Sequence, residues 1–307
     1  MFKTSCPICN GESFSLKYRL ADYWYDPQGP QYDYYECTQC KLLIQSPMLT
    51  SEELYKHYRE SDRYEKVDSR GVRGIYHKIG LRKRASILRG IPPGNMLDIG
   101  FGHGEFISFM SSIGWQVAGT EINDSSIKSE LPQNAEVFYG ELEALKLPNA
   151  NYDLVSMWDV LEHQRDMHAV LLEIKRISKP DGLLLIRVPN SQSVDAALFR
   201  EFWAGNDAPR HLYVFNETNL ERLLEKHSFR VLRKKKHIGN YLNFVKSVQF
   251  WVQSQKPGRK WAGSLLRLLR NPYFRLCIYP LFFIKDLFSQ GTSVTVLAKQ
   301  KDNCNHG

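Results

Sequence analysis

Met96-Leu97-Asp98-Ile99-Gly100-Phe101-Gly102-His103-Gly104 is the stretch on which the fold turns. An apolar run holding one carboxylate leads straight into three glycines at alternate positions. The run reads as a buried strand. The glycines let the backbone turn tightly and let a ligand lie against it with no Cβ in the way. The spacing is G-x-G-x-G, tighter than the G-x-G-x-x-G at which a dinucleotide sets its pyrophosphate on a helix N-terminus. Outward from this loop, short apolar runs alternate with amphipathic segments, the pattern of βαβ units in a parallel sheet. Seven strands are expected, at 95–99, 116–121, 135–139, 152–158, 183–188, 229–236 and 293–299. Helices are expected near 104–112, 124–130, 167–178 and 217–227, the last with Leu220, Leu223 and Leu224 at helical spacing.

The second strand closes on Gly119-Thr120-Glu121, about twenty residues past the loop, where a carboxylate can accept both hydroxyls of a ribose. Gly140-Glu141-Leu142-Glu143 follows the third strand. Trp158-Asp159-Val160-Leu161-Glu162-His163 closes the fourth, and Ser178-Lys179-Pro180-Asp181-Gly182 turns into the fifth. In this order and spacing, residues 90–237 resemble the class I methyltransferases. The resemblance implies an α/β, Rossmann-like doubly wound seven-stranded sheet whose last strand is antiparallel, and S-adenosylmethionine as methyl donor. It places Asp98, Gly100 and Gly102 at the methionyl end of the donor and Glu121 at the ribose. Glu141 is placed at the adenine amino group, the Leu142 backbone near the ring, and Trp158 at the sulfonium. Phe101 departs from the small residue common in that family. A nicotinamide dehydrogenase is the competing doubly wound reading, and the shortened glycine spacing counts against it.

Methyl transfer displaces a leaving group in line at a carbon already activated by its sulfonium, so alignment in a dry pocket carries much of the rate. A hydroxyl or acidic carbon acceptor also needs a general base, for which histidine is suited. His163, just past the fourth strand, is the first candidate, with an architectural hydrogen-bonding role as its alternative. Arg210 and His211 are the second, in the run Trp203-Ala204-Gly205-Asn206-Asp207-Ala208-Pro209-Arg210-His211-Leu212-Tyr213. This run is similar to one in bacterial methyltransferases of surface-polysaccharide biosynthesis. Its plainer reading is a lid in which Asp207 and Arg210 satisfy each other.

Cys6-Pro7-Ile8-Cys9 and Cys37-Thr38-Gln39-Cys40 have the internal spacing at which two thiolates reach one tetrahedral Zn²⁺. Four thiolates leave no open position, so Cys6, Cys9, Cys37 and Cys40 are expected to hold a structural zinc in a small N-terminal zinc-ribbon module. Such a module ahead of this core is also similar to sugar C-methyltransferases acting on nucleotide-linked deoxysugars. Cys277 reads as a buried thiol and Cys304 as a tail residue. Three domains follow: the module at 1–48, a helical connector at 49–92 with Pro92-Pro93 as its stop, and the methyltransferase domain at 93–307. An insertion occupies about 239–291.

With 43% hydrophobic and 12% aromatic residues, the 307-residue chain can build a packed core. Its net charge of +8 is localised, because twelve Lys and Arg and no Asp or Glu lie between Arg230 and Arg275. Interleaved with Trp and Phe, these cations suit the headgroup layer of an anionic membrane, with nucleic acid as the lesser alternative. No transmembrane helix is expected, since the apolar run 276–284 is far below the ~20 residues that span a bilayer. The start Met1-Phe2-Lys3-Thr4-Ser5-Cys6 has no apolar h-region, so a cytoplasmic protein is expected, peripheral on the inner membrane face if attached. The expected acceptor is a small molecule: a glycan, sugar nucleotide or lipid-linked intermediate. A quinone or isoprenoid O-methyltransferase, an RNA methyltransferase and a non-catalytic scaffold are the alternatives.

Overall fold

A computed structural model describes residues 5–59, 71–122, 131–236, 241–254, 260–287 and 291–301. Its elements begin with β1 (Phe14–Asp22), β2 (Asp26–Cys37), β3 (Leu43–Gln45), α1 (Ser51–Arg59), α2 (Gly71–Ala85), β4 (Asn95–Ile99) and α3 (Glu105–Ser112). Next come β5 (Gln116–Glu121), β6 (Glu136–Tyr139), β7 (Tyr152–Trp158), α4 (Met167–Ile177), β8 (Ser178–Pro189), α5 (Val194–Phe199) and β9 (Tyr213–Val214). The chain continues through α6 (Glu217–Lys226), β10 (Phe229–Lys236), α7 (Tyr241–Ser254), α8 (Lys260–Arg270), α9 (Pro272–Leu287) and β11 (Ser293–Gln300). The helix expected at 124–130 lies outside the described residues.

Two compact units divide the chain, and each is assembled from three separated segments. The first comprises 1–60, 188–223 and 236–294; the second comprises 61–187, 224–235 and 295–307.

The second unit holds a seven-stranded sheet in the order β10-β11-β8-β7-β4-β5-β6, with the antiparallel end expected of the last strands. Consecutive pairs from β8 across to β6 run parallel. β4 and β7 are buried along nearly their whole length, because a parallel sheet covered on both faces needs apolar residues in continuous runs. Met96, Phe106, Ile107, Met110, Leu154 and Leu185 belong to its core. α4 is capped by Asp166, which accepts from the His168 and Ala169 amides, and it buries Met167, Val170, Leu171, Ile174 and Ile177 at helical spacing. β8 starts five residues before the expected strand. Tyr152 pairs Ser178 and Leu154 pairs Leu183, so the Pro180-Asp181-Gly182 turn bulges out of an otherwise continuous strand.

The first unit carries a four-stranded sheet, β1-β2-β3-β9, in which every recorded pair is antiparallel. β9 docks on β3 with Leu43 opposite Val214 and Ile44 opposite Tyr213. Leu20, Tyr34, Leu43, Trp203 and Val214 fill the core behind it. The insertion forms the three helices α7, α8 and α9, held together by Tyr241, Val245, Val248 and Leu269.

Five of the twelve late cations are not in this insertion but on β10. Arg233 donates to the Ile87 and Arg89 carbonyls, and Lys235 to the Lys83 carbonyl, just beyond and at the end of α2. There a cation complements the carbonyls a helix leaves unpaired. Cys277 is exposed, contrary to the buried thiol expected, because on α9 it falls in the exposed row with Tyr273 and Leu281, outside the packed row of Phe274 and Ile278. Cys304 lies outside the described residues. Among the described residues no helix is long and apolar enough to cross a membrane.

Candidate active site

The order of the sheet places β4 between β5 and β7, so the connection after β4 runs to one side and that after β7 to the other, which opens a crevice at the strand ends. The glycine loop sits there. Gly100, Gly102 and Gly104 adopt φ of 67°, 56° and 74°, a region closed to most residues with a Cβ. At Gly100 a Cβ would also stand 2.7 Å from Val160 Cγ2. The loop is tied to β5 by the Gly100 amide, which donates to the Thr120 carbonyl at 2.8 Å. Phe101 does not obstruct it: the ring folds inward over Gly119, where a Cβ would come within 2.5 Å of it. This local pairing of a large with a missing side chain explains how the loop accommodates Phe.

Glu121 ends β5. Its carboxylate accepts from the Gly102 amide at 3.0 Å and from the Ile122 amide at 2.9 Å. A carboxylate offers about four acceptor positions, so about two remain for ligand hydroxyls. Burial raises its pKa above the ordinary value, and the two amides oppose that rise. Asp98 lies on β4 opposite Ser156 of β7, and the Ser156 hydroxyl donates to it. Burial pushes Asp98 up to about 7, against the pull of that hydroxyl and of Arg84.

The register of β7 against β8 puts Trp158 opposite Arg187. The Trp158 ring has two guanidinium groups over it, those of Arg84 from α2 and Arg187, each 5.4 Å from the ring centre, and it meets Phe106 edge-on at 4.9 Å. Arg187 is also paired with Asp159. Arg84 and Arg187 were not among the expected site residues. Arg84 sits in the run Arg82-Lys83-Arg84, which as sequence looks like any basic helix end. Glu141 and Leu142 follow β6, where the Gly140 amide donates to the Glu121 carbonyl at 2.9 Å; Leu142 is buried and Glu141 exposed. His163 is half-buried at the end of the 3₁₀ turn Leu161–His163.

Asp98, Gly100, Gly102 and Glu121 are thus brought together in the second unit, with Glu141 and Leu142 beyond β6 and Trp158 at the end of β7. Arg210 and His211 belong to the first. Arg210 is fully buried; Nη1 and Nη2 donate to Asp22 at 2.5 and 2.7 Å, and Nη2 also donates to Asp207 at 2.9 Å. His211 donates Nδ1–H to the Gly205 carbonyl at 2.9 Å, which leaves Nε2 to face Asp207 at 3.6 Å. The sequence pointed to Asp207 as a partner of Arg210; Asp22 was not foreseen.

The four paired cysteines also converge in the first unit. Cys6 and Cys40 Sγ are 3.5 Å apart, as are Cys9 and Cys37, and all four lie within 4.8 Å. A tetrahedral zinc with Zn–S of ~2.3 Å needs S–S separations of ~3.8 Å, so the cluster is of the right size. The two knuckles repeat one conformation. Asn10 and Lys41 directly follow their second cysteines, take φ of 58° and 63°, and return their amides to the carbonyls of Cys6 and Cys37.

The chain belongs to a family described as methyltransferase domain, which matches residues 72–234. It is 27% identical over 143 residues to a probable S-adenosylmethionine-dependent methyltransferase of Mycolicibacterium smegmatis, covering 45% of this chain and 52% of that protein. It is 29% identical over 131 residues to a ubiquinone biosynthesis O-methyltransferase of Maricaulis maris, covering 40% and 52%. The chain spans about half the length of these curated relatives. Its fold superposes, with a TM-score of 0.50 and 17% identity, on a candidate sarcosine dimethylglycine methyltransferase from Galdieria sulphuraria, covering 82% and 98% of the two chains. The fold is that of the class I S-adenosylmethionine-dependent methyltransferases.

Proposed function

We propose that this chain transfers a methyl group from S-adenosylmethionine to a small-molecule acceptor. The observation that carries the reading is the Glu121 carboxylate, anchored by the Gly102 amide beside the buried Asp98 at the crevice of the sheet. Glu121 accepts the ribose hydroxyls, Asp98 with Gly100 and Gly102 meets the methionyl end, and Trp158 closes the sulfonium side. Glu141 and Leu142 hold the adenine. Bound there, the donor supplies a methyl group activated by its sulfonium. The chain's own task is to align the acceptor, exclude water and take a proton. His163 and His211 are the proposed bases. His211 is suited because the Gly205 carbonyl fixes its tautomer. Arg210 positions it through Asp207.

The similarity of the Trp203–Tyr213 run to polysaccharide methyltransferases supports a glycan, sugar-nucleotide or lipid-linked acceptor. The match to a ubiquinone biosynthesis O-methyltransferase supports an isoprenoid-linked acceptor as the second reading. We assign a structural zinc to the four cysteines. The test of function is label from methyl-labelled donor appearing in small molecules of a cell extract. No transfer by a protein that binds donor, across extracts rich in either acceptor class, contradicts the reading. Loss of transfer in His163→Gln or His211→Gln with donor binding intact identifies the base.

Asp98 gives the donor site a pH dependence. With its carboxyl pushed up to about 7, the free chain holds the proton below that pH, and a cationic ammonium beside it favours the ionised form. Binding therefore releases a proton, and affinity rises with pH. Affinity for S-adenosylhomocysteine is expected to fall about ten-fold one pH unit below that pKa, relative to its plateau above it. Titrations across this range check it; Asp98→Asn should flatten the profile, and a flat wild-type profile refutes the assignment.

A further inference from the structure

We propose that the outer face of α9 is a docking surface for an anionic lipid bilayer, an inference that stands apart from the methyl-transfer reading. α9 is apolar on two faces. Phe274, Ile278 and Phe282 recur every fourth residue and turn inward, where the Phe282 ring meets Tyr241 at 5.2 Å and Phe244 at 5.0 Å. Tyr273, Leu276, Cys277, Pro280 and Leu281 recur at i, i+3, i+4, i+7 and i+8, and all are exposed. Tyr273 is 79%, Leu276 61% and Leu281 66% accessible, and Leu268 on α8 adds a further exposed apolar side chain at 47%. Single exposed leucines are ordinary, but a continuous helical row of apolar side chains is not, and a helix with a second, outward apolar face is one that something else covers.

The charge around the row says what covers it. No Asp or Glu occurs between Glu225 and Asp286, and Arg267 and Arg270 are exposed on the last turn of α8 beside Leu268. A second copy would bring the same predominantly cationic helices together across a two-fold axis, like charge on like. A nucleic acid would satisfy the cations and leave the leucines in water. An anionic bilayer satisfies both, with the leucines in the acyl boundary, Tyr273 at the headgroup level and the arginines on the phosphates. At 1.5 Å per residue the helix is about 24 Å long, so it lies in the interface.

The full-length chain is tested by flotation with vesicles of phosphatidylcholine alone and of phosphatidylcholine with phosphatidylglycerol. The expected result is binding to the anionic vesicles only, weakened by salt. Leu276→Gln with Leu281→Gln is expected to lose about ten-fold or more in affinity. Arg267→Gln with Arg270→Gln is expected to lose the preference for anionic lipid. Thermal melts matching the wild type establish that these surface variants fold. Absence of wild-type binding to anionic vesicles overturns the proposal. So does binding that the leucine pair leaves unchanged while an RNA homopolymer competes for it, or a wild-type dimer that the leucine pair makes monomeric.

Discussion

Stripping the zinc we assign to the Cys6, Cys9, Cys37 and Cys40 cluster is expected to unfold the four-stranded sheet of the first unit. β2 ends at Cys37, and β1 is paired to it along nearly its whole length. The knuckles contribute little apolar surface of their own, whereas a structural zinc in a small module is worth on the order of 10 kcal/mol. The loss should spread, because the Cys40 carbonyl accepts from Asn216, and Asn216 and Asn219 cap α6 reciprocally. Cys37→Ser should reproduce it. The measurements are metal content, expected at one zinc per chain, and near-ultraviolet dichroism before and after chelation. A metal-free chain with an unchanged spectrum and melting temperature refutes the zinc assignment.

Arg210→Leu is expected to cost the first unit about 3–5 kcal/mol, because it leaves Asp22 and Asp207 buried with no guanidinium between them. Breaking a buried ion pair by removing one member is far worse than removing all of it. Adding Asp22→Asn and Asp207→Asn to Arg210→Leu should therefore recover part of the loss. Arg210→Lys should recover little, since an ammonium cannot make the two-pronged contact with Asp22. Denaturant titrations check the order of these variants. A loss under about 1 kcal/mol for Arg210→Leu contradicts the network.

Why these two networks differ in legibility is instructive. The cysteine pairs carry their spacing in the sequence, and each knuckle is a local turn. The glycine loop is legible for the same reason: three residues that need positive φ stand next to an apolar run, and parallel strands buried on both faces have to be apolar throughout. Asp22 and Arg210 are separated by 188 positions, and nothing local marks them as partners. The docking of β9 on β3, with Tyr34 and Gln45 donating to the His211, Pro209 and Leu212 carbonyls, brings the Arg210 loop back to the N-terminal sheet.

The same limit explains Arg84 and Arg187. Trp158 was legible as the end of a strand, but its arginines arrive through strand register and helix placement, which composition does not encode. The late run of positive charge misled in the opposite way. Counted along the sequence it is one patch, yet Arg233 and Lys235 are spent on carbonyls near the end of α2, and among the described residues of the insertion the cations are those on α7, α8 and α9.

The central claim is that the crevice beside β4 binds the donor through Glu121. It is tested most directly by calorimetry of S-adenosylhomocysteine against the wild-type chain and Glu121→Ala. The account predicts one site in the wild type. In the variant it predicts affinity about a hundred-fold lower or worse, because the ribose hydroxyls lose charge-assisted hydrogen bonds. Absence of binding to a folded wild-type protein, or equal affinity in the variant, would contradict it.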